Sequence, residues 1–406
     1  MYQLLKGMRV VEAASFIAAP SGALHLAQLG AEVIRIDQVG GGPDFNRWPL
    51  SPDDGRSLYW EGLNKGKRSV AIDLSRPEGR ELAVSIITAP GPDAGLFVTN
   101  FPARGFLAYD RLLPRRADLI CLRVMGWGDG RPAMDYTVNA AIGIPAMTGP
   151  VEYPEPVNHV LPAWDLMAGA YGALCLVSAE RARRETGRGQ EIRLPLSDVA
   201  IASIGHLGWI AEAQLTGDRP RLGNELFGAF GRDFATADGK RLMVVAITPR
   251  QWRGLVSMLH LEQAVGALEA RLGVSFDHDE GLRFHHRERL YPIFAAAFAT
   301  RNAAELIPSF ETAGVTWGRF QTLAEAVGAD PNLSAANPVL TAQDRGNKRI
   351  LVPGAAATLP GEPRLPPGPP PRLGQDTEAV LAEVLGLSGG EIGRLHDAGL
   401  VASKEA

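Results

Sequence analysis

The chain has 406 residues, of which 46% are hydrophobic and 21% charged, and its formal net charge is -4. This length allows two sizeable cores or one large domain with a smaller lobe, and the balanced charge gives no general attraction for nucleic acid or an anionic membrane. The two cysteines lie in apolar runs and no signal-like or membrane-spanning segment is visible, so we expect a cytoplasmic protein without disulfides.

Strands and helices alternate through the first part of the chain. The strand-like runs cover residues 8–12, 32–37, 69–73, 95–99 and 119–124. Helical patterns lie between them, for example at 20–29 and 77–88. This alternation is typical of a parallel sheet with helices on both faces and right-handed crossovers. We therefore predict an α/β fold.

The pattern changes after a long helix predicted near 165–184. A hairpin is expected at 233–247 with Asp238-Gly239 at its turn, followed by helices through about 325. Residues 359–373 are too rich in proline for helix or central strand and predict an extended connector, which leads to helices at 377–385 and 390–398. We divide the chain into a large domain (1–224), a smaller α+β domain (225–325) and a returning C-terminal part (326–406).

Gly40-Gly41-Gly42 suggests a dinucleotide-binding loop and hence an NAD-dependent oxidoreductase. That fingerprint requires its glycines between the first strand and its helix, where the helix N-terminus meets the pyrophosphate. The first turn, residues 13–20, contains no glycine, and the triple glycine instead follows the second strand. The pattern therefore disfavours nicotinamide binding.

Asp165 opens a small-residue helix after Asn158-His159-Val160-Leu161-Pro162-Ala163-Trp164. An aspartate before Leu-Met-Ala-Gly-Ala is most simply a helix N-cap. The same position suits a nucleophile, because the helix N-terminus favours a negative charge and a carboxylate is normally ionised at neutral pH. Spacing alone leaves both interpretations open.

The segment from Asn158 to Asp198, with RARRETGRGQ at 181–190, resembles the nucleophile region of the family III CoA-transferases. The resemblance extends from about Gly7 to Leu400 and includes the closing PRLGQDT motif at 371–377. It implies a Rossmann-like large domain, a smaller α+β domain and an interlocked homodimer. It further implies an acyl-CoA substrate, with CoA as part of the substrate, no tightly bound cofactor and no metal. The matching residue for attack on the thioester is Asp165.

The resemblance also places the CoA contacts. Gln38 stands where relatives have an arginine, and Arg104 is a substitute for a second family arginine. The implied CoA-binding residues are Ile17, Ala18, Gln38, Ile72, Asp73, Leu74, Ser75, Asn100, Phe101, Pro102 and Arg104. The cations of the basic turn Asn64-Lys65-Gly66-Lys67-Arg68 are of the type that binds the CoA phosphates, although such a turn is usually solvated surface.

Racemases of the same family use a histidine and an aspartate to move an α-proton. Met134 stands in the histidine's place, and a thioether cannot accept a proton at neutral pH, so transfer is favoured over racemisation. Within the family, residues 40–49, 58–69 and 99–105 resemble members that move CoA between the two carboxyls of one unsaturated diacid. Transfer between two different acids stays an alternative. Candidate arginines for the second carboxylate are Arg47, Arg104 and Arg232.

Two further segments have ordinary explanations. Residues 224–234 occupy the place of a glycine-rich active-site loop in relatives. Gly228 and Gly231 are the glycines that remain there, and they are compatible with an ordered turn or with a moving lid. Residues 277–286, DHDEGLRFHH, match no standard metal-ligand spacing, so an exposed charged helix is expected there.

Overall fold

The computed structural model describes residues 1–403. Its strands are β1 (Arg9–Ala13), β2 (Glu32–Gln38), β3 (Arg68–Ile72), β4 (Leu96–Thr99), β5 (Ile120–Met125), β6 (Gln190–Pro195), β7 (Phe230–Ala235), β8 (Arg241–Ala246), β9 (Thr316–Arg319), β10 (Leu340–Arg345), β11 (Lys348–Pro353) and β12 (Val401–Ala402). Its helices are α1 (Ala18–Gln28), α2 (Leu58–Asn64), α3 (Pro77–Ile87), α4 (Tyr109–Leu112), α5 (Asp135–Ala141), α6 (Ile144–Met147), α7 (Ala163–Thr186), α8 (Leu196–His206), α9 (Trp209–Thr216), α10 (Pro249–Met258), α11 (Glu262–Leu272), α12 (Glu280–His285), α13 (Arg287–Ala299), α14 (Ala303–Ala313), α15 (Leu323–Ala329), α16 (Thr377–Leu385) and α17 (Gly389–Asp397).

A seven-stranded sheet with the order β12-β3-β2-β1-β4-β5-β6 forms the centre of the first compact unit. The neighbouring strands from β3 to β6 are all parallel, and β12 adds an antiparallel edge. The predicted α/β fold is therefore confirmed. In such a doubly wound sheet the order reverses between β1 and β4, and the crevice beyond the strand ends at this point is the usual ligand site.

The sheet strands are apolar because both of their faces are covered. Val70, Ile72, Phe97 and Cys121 are fully buried, and they belong to a core that the helices α3, α16 and α17 complete. Burying side chains of this size contributes roughly 1.5 to 3 kcal/mol each. The sheet is thus a rigid base for the loops at its carboxyl edge.

Small residues let α1 and α7 pack closely. A Cβ added to Gly169 would lie 2.0 Å from the Ser21 hydroxyl oxygen and 2.8 Å from the Ala18 carbonyl oxygen, and one added to Gly22 would lie 3.0 Å from the Gly169 carbonyl oxygen. Side chains at these glycines would separate the two helices. The small-residue run after Asp165 therefore fixes the start of α7 beside the start of α1.

The first compact unit comprises residues 1–142, 160–211 and 334–406, and the second comprises 143–159 and 212–333. The second contains the antiparallel sheet β7-β8-β9 and a core rich in aromatic side chains from β7, α10, α13 and α14. The predicted hairpin is present, with Gly239 at φ +71° in its turn. Residues 143–159 fall in this unit, which the sequence-based division at 224 did not anticipate.

The chain returns to the first unit at residue 334, after the second unit. The proline-rich stretch 359–373 contains no helix or strand, as predicted. Its backbone is held by hydrogen bonds from the Gly66 N–H to the Pro369 carbonyl at 2.9 Å and from the Leu365 N–H to the Met1 carbonyl at 2.8 Å. Within residues 1–403, no helix has the length and apolar character needed to span a membrane.

Candidate active site

The loops after β1 and β4 meet at the switch point of the parallel sheet. Asn100 joins them, because its Oδ1 accepts from the Ser15 N–H at 3.1 Å and its Nδ2 donates to the Ser15 carbonyl at 2.7 Å. Phe16 has φ +68°, which is strained for a bulky residue. Its N–H donates to the buried Asp44 carboxylate at 2.9 Å. Such strained turns cluster at ligand-binding sites.

The predicted CoA-binding residues of the first three strands lie along the same sheet edge. Ile17 is the N-cap of α1 without a side-chain cap, and Ala18 is its first residue. Gln38 and Ile72 end β2 and β3 and are paired in register. Ile72 as a whole residue has no accessible surface, and its carbonyl accepts from the Val39 N–H at 3.4 Å, so the predicted CoA contact at Ile72 is wrong.

The turn after β3 is ordered by its own polar groups. Asp73 Oδ1 accepts from the Ser75 N–H at 3.0 Å and from the Ser75 hydroxyl at 2.5 Å. The Arg80 Nε donates to the Leu74 carbonyl at 2.8 Å. The side chains of Asp73 and Ser75 therefore satisfy each other in this structure.

The turn after β4 is held from below by a buried arginine. Arg123 Nη1 donates to the Phe101 carbonyl at 2.7 Å and to the Pro102 carbonyl at 3.3 Å. The Phe101 N–H donates to the Thr99 hydroxyl at 3.1 Å. Arg104, two residues after Pro102, is exposed and precedes a short 3₁₀ helix.

The expectation that the basic turn at 64–68 supplies cations to the CoA phosphates is wrong for its lysines. The Lys67 ammonium is fully buried and donates to Glu12 at 2.7 Å. Lys65 is buried and donates to the Gly62 carbonyl at 2.6 Å. Arg68 pairs with Glu32 at 2.6 Å and with Glu383 at 2.8 Å. These groups stabilise the fold, and a sequence pattern of charges cannot reveal that their side chains turn inward.

Lys67 belongs to a buried charge cluster made of Glu12, Arg35, Asp37 and Lys67. Arg35 donates to Glu12 at 2.5 Å and to Asp37 at 2.7 Å. Lys67 also donates to the Asn64 side chain and the Pro20 carbonyl, each at 2.9 Å. Each charged member has at least one oppositely charged partner, as buried ions require.

Asp165 is the third residue of α7, so the simple N-cap interpretation is wrong. The N-cap is Pro162, which offers no side-chain cap. Asp135, at the start of α5, supplies the cap instead: its Oδ2 accepts from the Trp164 N–H at 2.7 Å and from the Asp165 N–H at 3.2 Å. Asn139 Oδ1 accepts from the Trp164 indole N–H at 3.0 Å. Helix α5 therefore determines where Asp165 lies.

Burial and the nearby Asp135 carboxylate raise the pKa of Asp165 to about 7. The expectation of full ionisation at neutral pH is therefore wrong, because desolvation outweighs the favourable field of the helix N-terminus. A carboxylate that has lost part of its hydration is a better nucleophile than a solvated one. A raised carboxyl pKa in a cleft is also typical of a functional site.

Tyr59, which the sequence did not predict as a site residue, lies beside Arg47, a predicted candidate for the second carboxylate. The Tyr59 hydroxyl oxygen is buried and makes no regular hydrogen bond within the described residues, although the Arg47 side chain lies close to it. Burial raises the pKa of Tyr59, the Arg47 charge opposes this change, and the Asp44 and Asp165 charges reinforce it. The Arg47 guanidinium carbon lies 5.5 Å from the Tyr59 ring centroid and 5.7 Å from that of Phe16. The charges of Arg47 and Asp165 therefore both act on the Tyr59 hydroxyl.

The other predicted residues have different surroundings. Met134, in place of the racemase histidine, is the N-cap of α5 and 53% exposed. In the second unit, Arg232 lies 3.7 Å from Glu225 and stacks over Tyr291. In the loop at 224–234, the Leu226 N–H donates to the Gly231 carbonyl at 2.8 Å.

The comparison with known families decides between the transferase and oxidoreductase hypotheses. The model of CoA-transferase family III matches residues 5–377. The chain belongs to CoA-transferase family III. The predicted family and enzyme class are thereby confirmed, and the nicotinamide alternative is set aside.

Individual relatives and one solved structure are similar to this chain over nearly its whole length. A 2-methylfumaryl-CoA isomerase from Chloroflexus aurantiacus is 51% identical over 407 residues, which cover 100% of this chain and 99% of the relative. A succinyl-CoA–D-citramalate CoA-transferase from the same organism is 28% identical, covering 97% of this chain and 96% of the relative. The crystal structure of a CAIB/BAIF family protein from Brucella suis matches with a TM-score of 0.76 and 23% identity, covering 95% of this chain and 100% of that one. This likeness confirms the fold.

Proposed function

We propose that this chain is a 2-methylfumaryl-CoA (mesaconyl-CoA) isomerase that moves CoA between the two carboxyls of one diacid. The observation that carries the proposal is Asp165, a largely desolvated carboxylate in the first turn of α7 whose pKa is raised to about 7. The full-length identity of 51% to the Chloroflexus aurantiacus isomerase supports the substrate.

Catalysis begins with attack of the ionised Asp165 carboxylate on the thioester carbonyl. The carbon–sulfur bond breaks, and CoA leaves as the thiolate while an aspartyl-acyl anhydride forms. The thiolate then attacks the Asp165 carbonyl carbon of the anhydride. The bond to the bridging oxygen breaks, which releases the diacid as a dicarboxylate and leaves an aspartyl-CoA thioester.

The second half repeats these steps with the other carboxylate. After the diacid turns end for end, that carboxylate attacks the aspartyl-CoA thioester and expels the thiolate, which forms the second anhydride. The thiolate attacks the diacid carbonyl, and Asp165 leaves as a carboxylate. No proton is gained or lost over the cycle, and no redox or metal step is needed.

The start of α1 is proposed to stabilise the oxyanion of each tetrahedral intermediate. The N–H groups of Ile17 and Ala18 lie at an uncapped helix N-terminus, and such donors stabilise developing negative charge. The strand-end residues proposed to contact CoA are Gln38, Asp73, Leu74, Ser75, Asn100, Phe101, Pro102 and Arg104.

We also propose that the protein is a homodimer. One face of α7 is apolar and exposed in the single chain: Leu166, Met167, Tyr171 and Leu174 have between 36% and 59% of their surface accessible. Their spacing places them on one side of the helix, and such a continuous apolar face is typical of a protein interface. Sedimentation should show a dimer at micromolar concentration, and a stable folded monomer would contradict the dimer.

The proposal is tested by following the acyl group. Mesaconyl-CoA with a heavy acyl group is mixed with excess light mesaconate, and the products are measured by mass spectrometry. Intramolecular transfer predicts that the regioisomer forms without added acid and keeps its heavy acyl group. Rapid appearance of light acyl-CoA would instead identify transfer between two acids, and no isomer at all would overturn the proposal.

A further inference from the structure

The Arg47 side chain carries a cation that no carboxylate neutralises. It is exposed, and no acidic group among the described residues lies within ion-pair distance of it, whereas Arg35 in the same unit has three acidic neighbours. The guanidinium lies over two aromatic rings, those of Phe16 and Tyr59. Aromatic neighbours orient a guanidinium and leave its N–H groups available for a planar anion.

The backbone fixes Arg47 relative to Tyr59. The Ser57 hydroxyl donates to the Arg47 carbonyl and accepts from the Trp60 N–H, which it caps at the start of α2. Leu58, next to Tyr59, donates its N–H to the Pro49 carbonyl at 2.9 Å. The two side chains are therefore held on adjacent, mutually bonded segments.

The buried Tyr59 hydroxyl makes no regular hydrogen bond within the described residues, and the side chain of Arg47 lies close to it. Leaving such a group unsatisfied costs about 1 to 3 kcal/mol, and unsatisfied groups in native structures often mark a ligand position. Three charged groups act on this hydroxyl, namely Arg47, Asp44 and Asp165. Arg47 is the positive one of the three.

We infer that Arg47 and Tyr59 bind the carboxylate of the diacid that is not bonded to CoA. This inference rests on the proposed function. A second carboxylate close to Asp165 requires a cation, and Asp165 itself has Asp135 as its charged neighbour. Arg47 offers a forked pair of N–H donors and Tyr59 a hydroxyl donor, which together satisfy both carboxylate oxygens.

The alternative arginines fit this role less well. Arg232 is already engaged with Glu225 and stacked over Tyr291. Arg104 follows β4 in the turn that we assign to CoA. Arg47 alone of the three is coupled to Asp165 through a shared neighbour, Tyr59.

Binding at Arg47 would keep the free diacid in the site between the two halves of the reaction. When Asp165 carries CoA, the free diacid has no covalent bond to the protein, and it must stay bound while it turns. Each end of the diacid is bound at Arg47 when the other end reacts at Asp165. Loss of Arg47 should therefore weaken binding of the substrate and let the diacid escape.

The experiment uses the full-length protein and the variants Arg47→Gln and Tyr59→Phe. Arg181→Gln is the matched control, because Arg181 is 81% exposed near the other end of α7. Two quantities are measured: KM for mesaconyl-CoA, and the light fraction in the heavy-substrate, light-acid mixture. Arg47→Gln should raise KM about 10- to 100-fold, as loss of a charged hydrogen bond does, and should raise the light fraction several-fold over that of Arg181→Gln.

Acylation of Asp165 by a monocarboxylic thioester separates this inference from the proposed function. Crotonyl-CoA has no second carboxylate, so release of crotonate in a single turnover should be the same within about threefold in Arg47→Gln and wild type. If Arg47→Gln matches Arg181→Gln in KM and in light fraction, the inference is wrong. If wild type neither isomerises mesaconyl-CoA nor releases crotonate, the proposed function fails instead.

Tyr59→Phe keeps the test available if Arg47→Gln does not fold. Removing a buried hydroxyl that makes no regular hydrogen bond should leave thermal stability nearly unchanged or raise it, while KM for mesaconyl-CoA rises about 3- to 10-fold through loss of one neutral donor. If the role of Tyr59 is only structural, Tyr59→Phe should lower thermal stability and leave KM unchanged. That result would contradict the assignment.

Discussion

The first unit holds two groups of charged residues that differ in their partners. In the buried charge cluster, Arg35 and Lys67 are both bonded to Glu12, and the side chains are at most 2% exposed. In the nucleophile region, Asp165 has a like-charged neighbour and Arg47 has no acidic partner in the described chain. Charges that stabilise the fold satisfy one another, whereas those proposed to act on the substrate are left available.

The largest effect is expected for Asp165→Asn. An amide cannot form the anhydride, so turnover should fall by at least about a thousandfold, which corresponds to roughly 4 kcal/mol. CoA binding should survive, because the strand-end residues are unchanged. The steady-state rate and CoA affinity are measured beside Glu185→Gln, which alters an exposed acid at the other end of α7. Retention of more than about a hundredth of the wild-type rate would remove Asp165 from the mechanism.

Breaking the buried charge cluster should affect folding instead. Lys67→Met leaves Glu12 with one cation fewer in a buried site, so the free energy of unfolding should fall by about 3 to 5 kcal/mol. Lys348→Met removes an exposed lysine paired with Asp53 and should change it by less than about 1 kcal/mol. Urea unfolding measures both, and equal small effects would show that the cluster is not a folding element.

Asp165→Asn should raise the free energy of unfolding, whereas Lys67→Met should lower it. A carboxyl whose folded pKa lies above its unfolded value destabilises the fold once it is ionised. The destabilisation grows between about pH 4 and pH 7 and is complete above the folded pKa of about 7. The variant should therefore gain about 1 to 3 kcal/mol at pH 8 and lose this gain near pH 4. A variant less stable than wild type at pH 8 would contradict the pKa of Asp165.

Asp135→Asn should produce the smallest change. Its amide oxygen still accepts from the Trp164 N–H, but its charge no longer raises the pKa of Asp165. Because activity requires the carboxylate, the acidic limb of kcat/KM against pH should move to lower pH by up to about one unit. Asp198→Asn, on α8, is the control. An unshifted limb would show that burial alone sets the pKa.

The sequence predicted the regular part of this molecule better than its site. Period and turn residues placed β1 to β5, α3, the hairpin and α16, because these depend on local patterns. Asp165 was found through a local segment that resembles a family. The Asp135 cap lies 30 residues earlier in sequence, and Tyr59 and Lys67 take their roles from neighbours on other strands and helices. Burial and partner choice at those positions depend on tertiary packing, which no local pattern contains.

The most direct test of covalent catalysis follows oxygen atoms into Asp165. Mesaconyl-CoA is labelled with heavy oxygen in its free carboxyl and turned over many times, and the protein is digested for mass spectrometry. In each cycle the bridging oxygen of the second anhydride comes from the diacid and leaves with Asp165. We predict heavy oxygen in the peptide that contains Asp165 and none in the Asp198 peptide. Isomer formation without label at Asp165 would contradict the mechanism.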